Sequence, residues 1–116
     1  MTAAIARIVI SVASLEKALP LYEDVLDLRR VWESPGIVAL GLARGIEVML
    51  IERPPTPGDA GVIPVYRVAN VDAAAAAAVG VGATIIDPPR DESWGERQAV
   101  LRDVDGHVIR FVTPVD

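Results

Sequence analysis

The chain is written twice, and the second half repeats the structural signals of the first in the same order. Ile8-Val9-Ile10-Ser11-Val12-Ala13-Ser14-Leu15-Glu16 aligns with Pro64-Val65-Tyr66-Arg67-Val68-Ala69-Asn70-Val71-Asp72 at an offset of roughly 56 residues. Each copy runs from an apolar strand into a residue suited to cap a helix. Further on, Gly45-Ile46-Glu47-Val48-Met49-Leu50-Ile51 aligns with Gly106-His107-Val108-Ile109-Arg110-Phe111-Val112, now offset by roughly 61 residues. The period lies slightly above the usual window for internal repeats. The second copy therefore carries about five extra residues before its last hairpin, and an insertion in one copy of a symmetric scaffold is a place to look for function.

A chain of 116 residues with 52% hydrophobic content is sized for one domain with its own core, which excludes the disordered and membrane-spanning classes. The formal charge of -5 repels phosphate backbones, and no basic run interleaves with aromatics, so nucleic acid is not an expected partner. With no cysteine, disulfides, thiolate metal sites and cysteine nucleophiles drop out together. Met1-Thr2-Ala3-Ala4-Ile5 shows no charged leader followed by a long apolar stretch, so the expectation is a cytoplasmic protein that contacts no membrane.

Residues 5–13 are β-branched and apolar and read as a buried strand. Ser14 then caps a helix whose inward stripe is Leu15, Ala18, Leu19, Tyr22, Val25 and Leu26, with Glu16 in its first turn. Pro20 opposes this helix at a cost of about 3 kcal/mol, so a kink or a loosened first turn is expected. Asp27 follows where a left-handed residue is wanted. Strands fit 28–33, 37–42 and 46–52, broken by Ser34-Pro35-Gly36 and Ala43-Arg44-Gly45. A stiff polar connector covers 54–61. The second half repeats the order, with a strand over 62–69, a helix over 70–80 capped by Asn70, and strands near 84–87, 97–102 and 107–113. Asp103-Val104-Asp105-Gly106 signals the hairpin joining the last two.

The string from Arg7 to Leu28, with Val12-Ala13-Ser14-Leu15-Glu16-Lys17-Ala18 and Tyr22-Glu23-Asp24-Val25-Leu26, resembles the opening of the vicinal oxygen chelate superfamily. The tail from Trp94 to His107 resembles the closing segment of its glyoxalase and bleomycin-resistance branch. The resemblance implies an α+β fold in a single domain over 1–116: two tandem βαβββ modules, 1–53 and 62–116, forming a cup-shaped mixed sheet with helices on the outer face. It also implies a second subunit beside the first, hence a homodimer. Metal enzymes of the family hold a divalent ion with His and Glu from four strands. Carried onto this chain, the pattern puts Arg7 and Ile63 where histidines are usual, and Met49 and Arg110 where carboxylates are usual. A guanidinium offers no lone pair and an alkyl chain none either, so no metal or other cofactor is expected. A two-residue slip in the fourth strand would leave Glu47 on the same face, yet a site built on two histidines is impossible with one His in the chain. An oxygen-only magnesium or manganese site needs several converging carboxylates, which these strands do not supply.

If Arg7 and Arg110 face the cup, alternation points Val9, Ser11, Glu47, Ile51, Ile63, Val65, Arg67, Val108 and Val112 the same way. Three guanidiniums against one carboxylate suit an anionic ligand, because Arg presents a planar bidentate fork; the plainer reading is that Glu47 pairs with Arg7 or Arg110 to neutralise the floor. Trp32 and Trp94 are the only tryptophans, and Trp94 lies in or beside the inserted Arg90-Asp91-Glu92-Ser93, where an indole suits stacking on a planar ligand or covering a sheet edge. Tyr22 and Tyr66 read as core, His107 as part of a solvent turn, and Asp91, Glu92 and Glu96 as solvated loop acids. The sequence thus favours a metal-independent small-molecule binding protein for a planar or anionic compound, with Arg7, Trp32, Glu47, Arg67, Trp94 and Arg110 as contacts. Two alternatives stay open: a metal-free lyase or isomerase with Glu47 as base, and a structural or regulatory domain whose cup is filled by its own side chains.

Overall fold

The computed structural model describes residues 5–41, 45–58 and 61–115, so the end of the strand expected at Leu42 and the break at Ala43-Arg44 fall outside the described residues. The chain divides into two compact units between Thr56 and Pro57.

The first unit runs β1 (Arg7–Val12), α1 (Leu15–Leu19) leading into a π-helix (Pro20–Val25), β2 (Arg29–Ser34), β3 (Ile37–Gly41) and β4 (Glu47–Glu52). The second runs β5 (Val65–Arg67), α2 (Val71–Gly80), β6 (Thr84–Asp91), β7 (Glu96–Arg102) and β8 (Val108–Pro114). Each unit is α+β with one four-stranded mixed sheet, ordered β1-β4-β3-β2 and β5-β8-β7-β6, so the repeat read in the sequence is a repeat of topology. In both sheets the first strand pairs parallel with the last, and the remaining pairs are antiparallel.

The caps repeat as well. Ser14 Oγ accepts from the Lys17 amide at 3.3 Å and Asn70 Oδ1 from the Ala73 amide at 3.0 Å, each satisfying one of the orphan donors of a helix start. In the first unit Glu52 adds a second acceptor, taking the Leu15 amide at 2.9 Å. The effect of Pro20 falls later than the first turn. Its ring cannot sit against the carbonyl four residues back, and from Pro20 onward the helix widens to π geometry, with Leu26 N–H donating to Leu21 O at 3.0 Å. Asp27 then turns the chain at φ 54°, and Leu28 N–H closes the end on Tyr22 O at 3.1 Å.

Prolines also explain where strand boundaries differ from expectation. The strand read over 62–69 shrinks to β5, since Pro64 has no N–H to donate, although its carbonyl still accepts from Arg110 at 3.1 Å. Conversely β6 runs to Asp91 through Pro88 and Pro89, beyond the expected 84–87. It is an edge strand, and its register shifts between Ile85 and Asp87 and between Asp87 and Arg90, which leaves both prolines without a partner on β7.

One face of each sheet packs on its helical segment. In the first unit the buried set includes Val12, Val48, Leu50 and Leu40 with Ala18, Leu21 and Tyr22. In the second it includes Tyr66, Phe111, Ile109, Leu101 and Ala99 with Val71, Ala75 and Ala78 of α2. The alanine run gives α2 high helix propensity and presents only short side chains to the sheet. Tyr66 and Phe111 meet edge to face, 6.5 Å apart at 71°; burial first, and the Asp103 charge second, push the Tyr66 phenol up. No helix among the described residues is long and apolar enough to cross a membrane.

Candidate functional site

The face of each sheet opposite its helix carries Arg7, Trp32 and Glu47 in the first unit and Arg67 and Arg110 in the second. In the first unit, strand register aligns Val9, Met49, Ala39 and Trp32 in one row across the sheet, and Arg7, Glu47 and Gly41 in the next. Val9 and Trp32, at the two ends of this row, are 44% and 40% exposed, while Ala39 between them is buried. Arg7 Nε donates to Glu47 Oε1 at 3.2 Å, with about half of the Arg7 side chain exposed, so the pair neutralises charge and adds roughly 0–1 kcal/mol to stability. Glu47 is thus engaged by Arg7, the pairing that one of its two sequence readings anticipates. Ser11, in the third row, accepts from Arg53 Nε at 2.6 Å.

In the second unit the same face of β8 carries Val108, Arg110 and Val112. Arg110 stands opposite Val65 of β5 and Val100 of β7, while Arg67 stands opposite Val112. Arg110 is half-buried and its Nε is fully covered with no hydrogen-bond partner; Arg67 is exposed and likewise meets no partner among the described residues. An unpaired buried donor of this kind costs about 1–3 kcal/mol. Ile63, expected on this face within a strand, precedes β5 and belongs to no strand.

The remaining cations of the second unit are engaged. Arg90 Nε donates to Glu92 at 3.0 Å, and Arg102 Nη1 to the Gly106 carbonyl at 3.0 Å. Arg97, on the helical face, ties α2 to the edge strand by gripping Asp72 at 2.7 and 3.0 Å and Asp91 at 3.0 Å. Its hydrogen bond holds the Asp72 carboxyl below the usual range, against a small opposing effect of burial. In the first unit Arg30 does the same for Glu23.

Trp94 sits in the turn between β6 and β7, 59% exposed, with its indole N–H donating to Glu96 Oε1 at 2.9 Å. Asp91, Glu92 and Glu96, read as solvated loop acids, each accept a hydrogen bond, Asp91 from Arg97 across β6 and β7, and Glu92 and Glu96 from Arg90 and Trp94 two residues before them. His107 is tied into the β7–β8 turn, where its amide donates to Asp103 Oδ1 at 2.9 Å and its carbonyl accepts from the Asp103 amide at 2.8 Å. Reasoning from sequence missed Gln98 and Arg102, which register places on the same face as Arg110. The signal was present, since the hairpin turn at residues 103–107 fixes which β7 residues oppose β8.

The four positions of the implied metal site hold two guanidiniums, a thioether and an alkyl chain, which do not fit a divalent cation that takes imidazole or carboxylate donors. Among the described residues no three His, Cys, Asp or Glu side chains converge. The donor chemistry present suits an oxyanion.

Comparison with curated proteins finds no match. Among solved structures, the chain is similar to a glyoxalase/bleomycin resistance protein/dioxygenase family enzyme from Burkholderia phytofirmans PsJN, at 18% identity and TM-score 0.83 over 97% of this chain and 100% of that one. It is similar to TioX from Micromonospora sp. ML1, at 23% identity and TM-score 0.71 over 97% and 100%. A superfamily member from Sphaerobacter thermophilus DSM 20745 gives 24% identity and TM-score 0.70 over 96% and 97%. At such identities the likeness is one of fold. The sequence pattern of the family itself matches residues 4–111. By that match, with the twice-repeated strand and helix order behind it, the chain belongs to the Glyoxalase/Bleomycin resistance protein/Dioxygenase superfamily.

Proposed function

We propose that this protein binds a small planar or anionic molecule, planar antibiotics included, as a cytoplasmic homodimer, without a metal ion and without turning the ligand over. The observation that carries the reading is that Arg7, Met49 and Arg110 stand where the family's metal enzymes have imidazole or carboxylate donors, on sheet faces that mix apolar side chains with a few polar ones. Apolar rows with a few placed polar groups are the usual composition of small-molecule sites. Trp32 on the first sheet and Trp94 above the edge of the second are exposed aromatic surfaces available for stacking.

Tryptophan fluorescence titrated with aryl acids and planar antibiotics tests this. Saturable quenching is expected, and Trp94→Ala should remove the saturable component. A flat response across the panel contradicts the reading. Turnover of a bound compound that is lost in Glu47→Gln, with binding retained, would replace it by the metal-free enzyme.

A further inference from the structure

We infer that Gly41 is a positioning residue for the stacking surface of Trp32: lacking a Cβ, it lets an extra residue of β2 close onto the sheet, and that extra residue turns the indole onto the open face of the first unit. This rests on the proposed binding of a planar molecule, for which Trp32 supplies one of two exposed aromatic surfaces. Arg30 stands opposite Leu40, and its guanidinium reaches Glu23 of the π-helix at 2.6 Å, so it lies on the helical face. Trp32 stands opposite Ala39, in the row of Val9 and Met49 on the other face. Residues two apart in a regular strand share a face. These two do not, because Val31 between them has no partner on β3 and shifts the alternation by one. Without that bulge the indole would turn toward the helix.

Gly41 is what the bulge rests on. A Cβ at residue 41 would lie on the open face, 2.9 Å from Val31 Cγ2, closer than non-bonded carbons approach. Nothing in the backbone calls for glycine here, since Gly41 is not among the residues with positive φ; the space above it does. Valine is stiff about χ1, so an added methyl displaces the bulge and not one side chain alone. The second unit supplies the comparison. β6 has the same bulge, with Ile86 unpaired between Ile85, opposite Leu101, and Asp87, opposite Val100. There Arg102 holds the position of Gly41, and Asp87 that of Trp32. The scaffold therefore makes the bulge without glycine, and the glycine occurs in the copy whose bulge presents an indole.

The indole Nε1–H resonances of the full-length protein report the two tryptophans separately, with Trp32 assigned by its loss in Trp32→Phe. Titration with sodium naphthoate is expected to shift Trp32 saturably, and cyclohexanecarboxylate, equal in charge but not flat, to leave it in place. Gly41→Ala should move the Trp32 resonance of the ligand-free protein and weaken naphthoate binding by about 3- to 10-fold, the worth of an aromatic contact. In a Val31→Ala background, where Cγ2 is gone, the same Gly41→Ala change should cost nothing further. Thermal melts establish that each variant is folded, and a nuclear Overhauser contact between Gly41 Hα and a Val31 methyl in the parent protein tests the packing with no substitution. The inference is overturned if that contact is missing, if folded Gly41→Ala leaves Trp32 and the affinity unchanged, if its cost is the same with and without Val31 Cγ2, or if cyclohexanecarboxylate shifts Trp32 as naphthoate does. Should naphthoate bind without moving Trp32, the binding function stands and the inference falls; should no planar compound bind, both fall.

Discussion

Truncating Phe111 to Ala is expected to destabilise the protein by about 3–5 kcal/mol, the largest effect of any single substitution considered. The side chain is fully buried on β8, an inner strand of the second sheet, and meets Tyr66 edge to face at 6.5 Å. The cost of a cavity depends on how well its walls collapse. Here the helix above contributes Ala75 and Ala78, which have no rotamers with which to fill the space. Phe111→Leu, which keeps most of the volume, should cost much less. Urea unfolding followed by circular dichroism measures both. A loss below about 1 kcal/mol for Phe111→Ala would mean that α2 does not rest on this part of the sheet.

The second large effect is expected at Asp103, the one buried charged residue among those described. Its Oδ1 accepts the amides of Asp105 at 3.0 Å and His107 at 2.9 Å, and its own amide and carbonyl close the same turn on His107 O and Gly106 N. Asp103→Ala strands two donors and should cost about 1–3 kcal/mol. Asp103→Asn keeps an oxygen acceptor and should retain most of that. The turn also sets the register by which Arg102 opposes Val108 and Val100 opposes Arg110, so the alanine variant should lose order on the arginine face as well. Equal stabilities for Ala and Asn would show that the carboxylate oxygen is not what holds the turn.

Topology was legible because it is local. Alternating apolar residues, Ser14 and Asn70 at equivalent caps, Asp27 at the left-handed position and the Asp103–Gly106 turn each fix a piece of backbone without help from distant residues. Proline was harder to read. Pro20 was expected to kink the helix or loosen its first turn, and instead the helix widens to π geometry from Pro20 onward, with Leu21 and Tyr22 buried. The strand was expected only near 84–87, and it continues through Pro88 and Pro89 because register shifts on an edge strand leave both without a partner on β7. The arginines divide in the same manner. Alternation put Arg7 with Glu47 and Arg67 on the face of Arg110, whereas the grip of Arg97 on Asp72 and Asp91 depends on how α2 and the end of β6 lie against β7.

The claim under all of this is that the family scaffold here receives a molecule through guanidinium and apolar groups and requires no ion to do so. Calorimetric titration of a planar aryl carboxylate into protein first dialysed against a chelator, and then into the same protein supplied with zinc, nickel, manganese or magnesium, tests it most directly. The account predicts the same saturable binding in every case, with no metal retained in stoichiometric amount. Binding that vanishes after chelation and returns with one of these ions would contradict it.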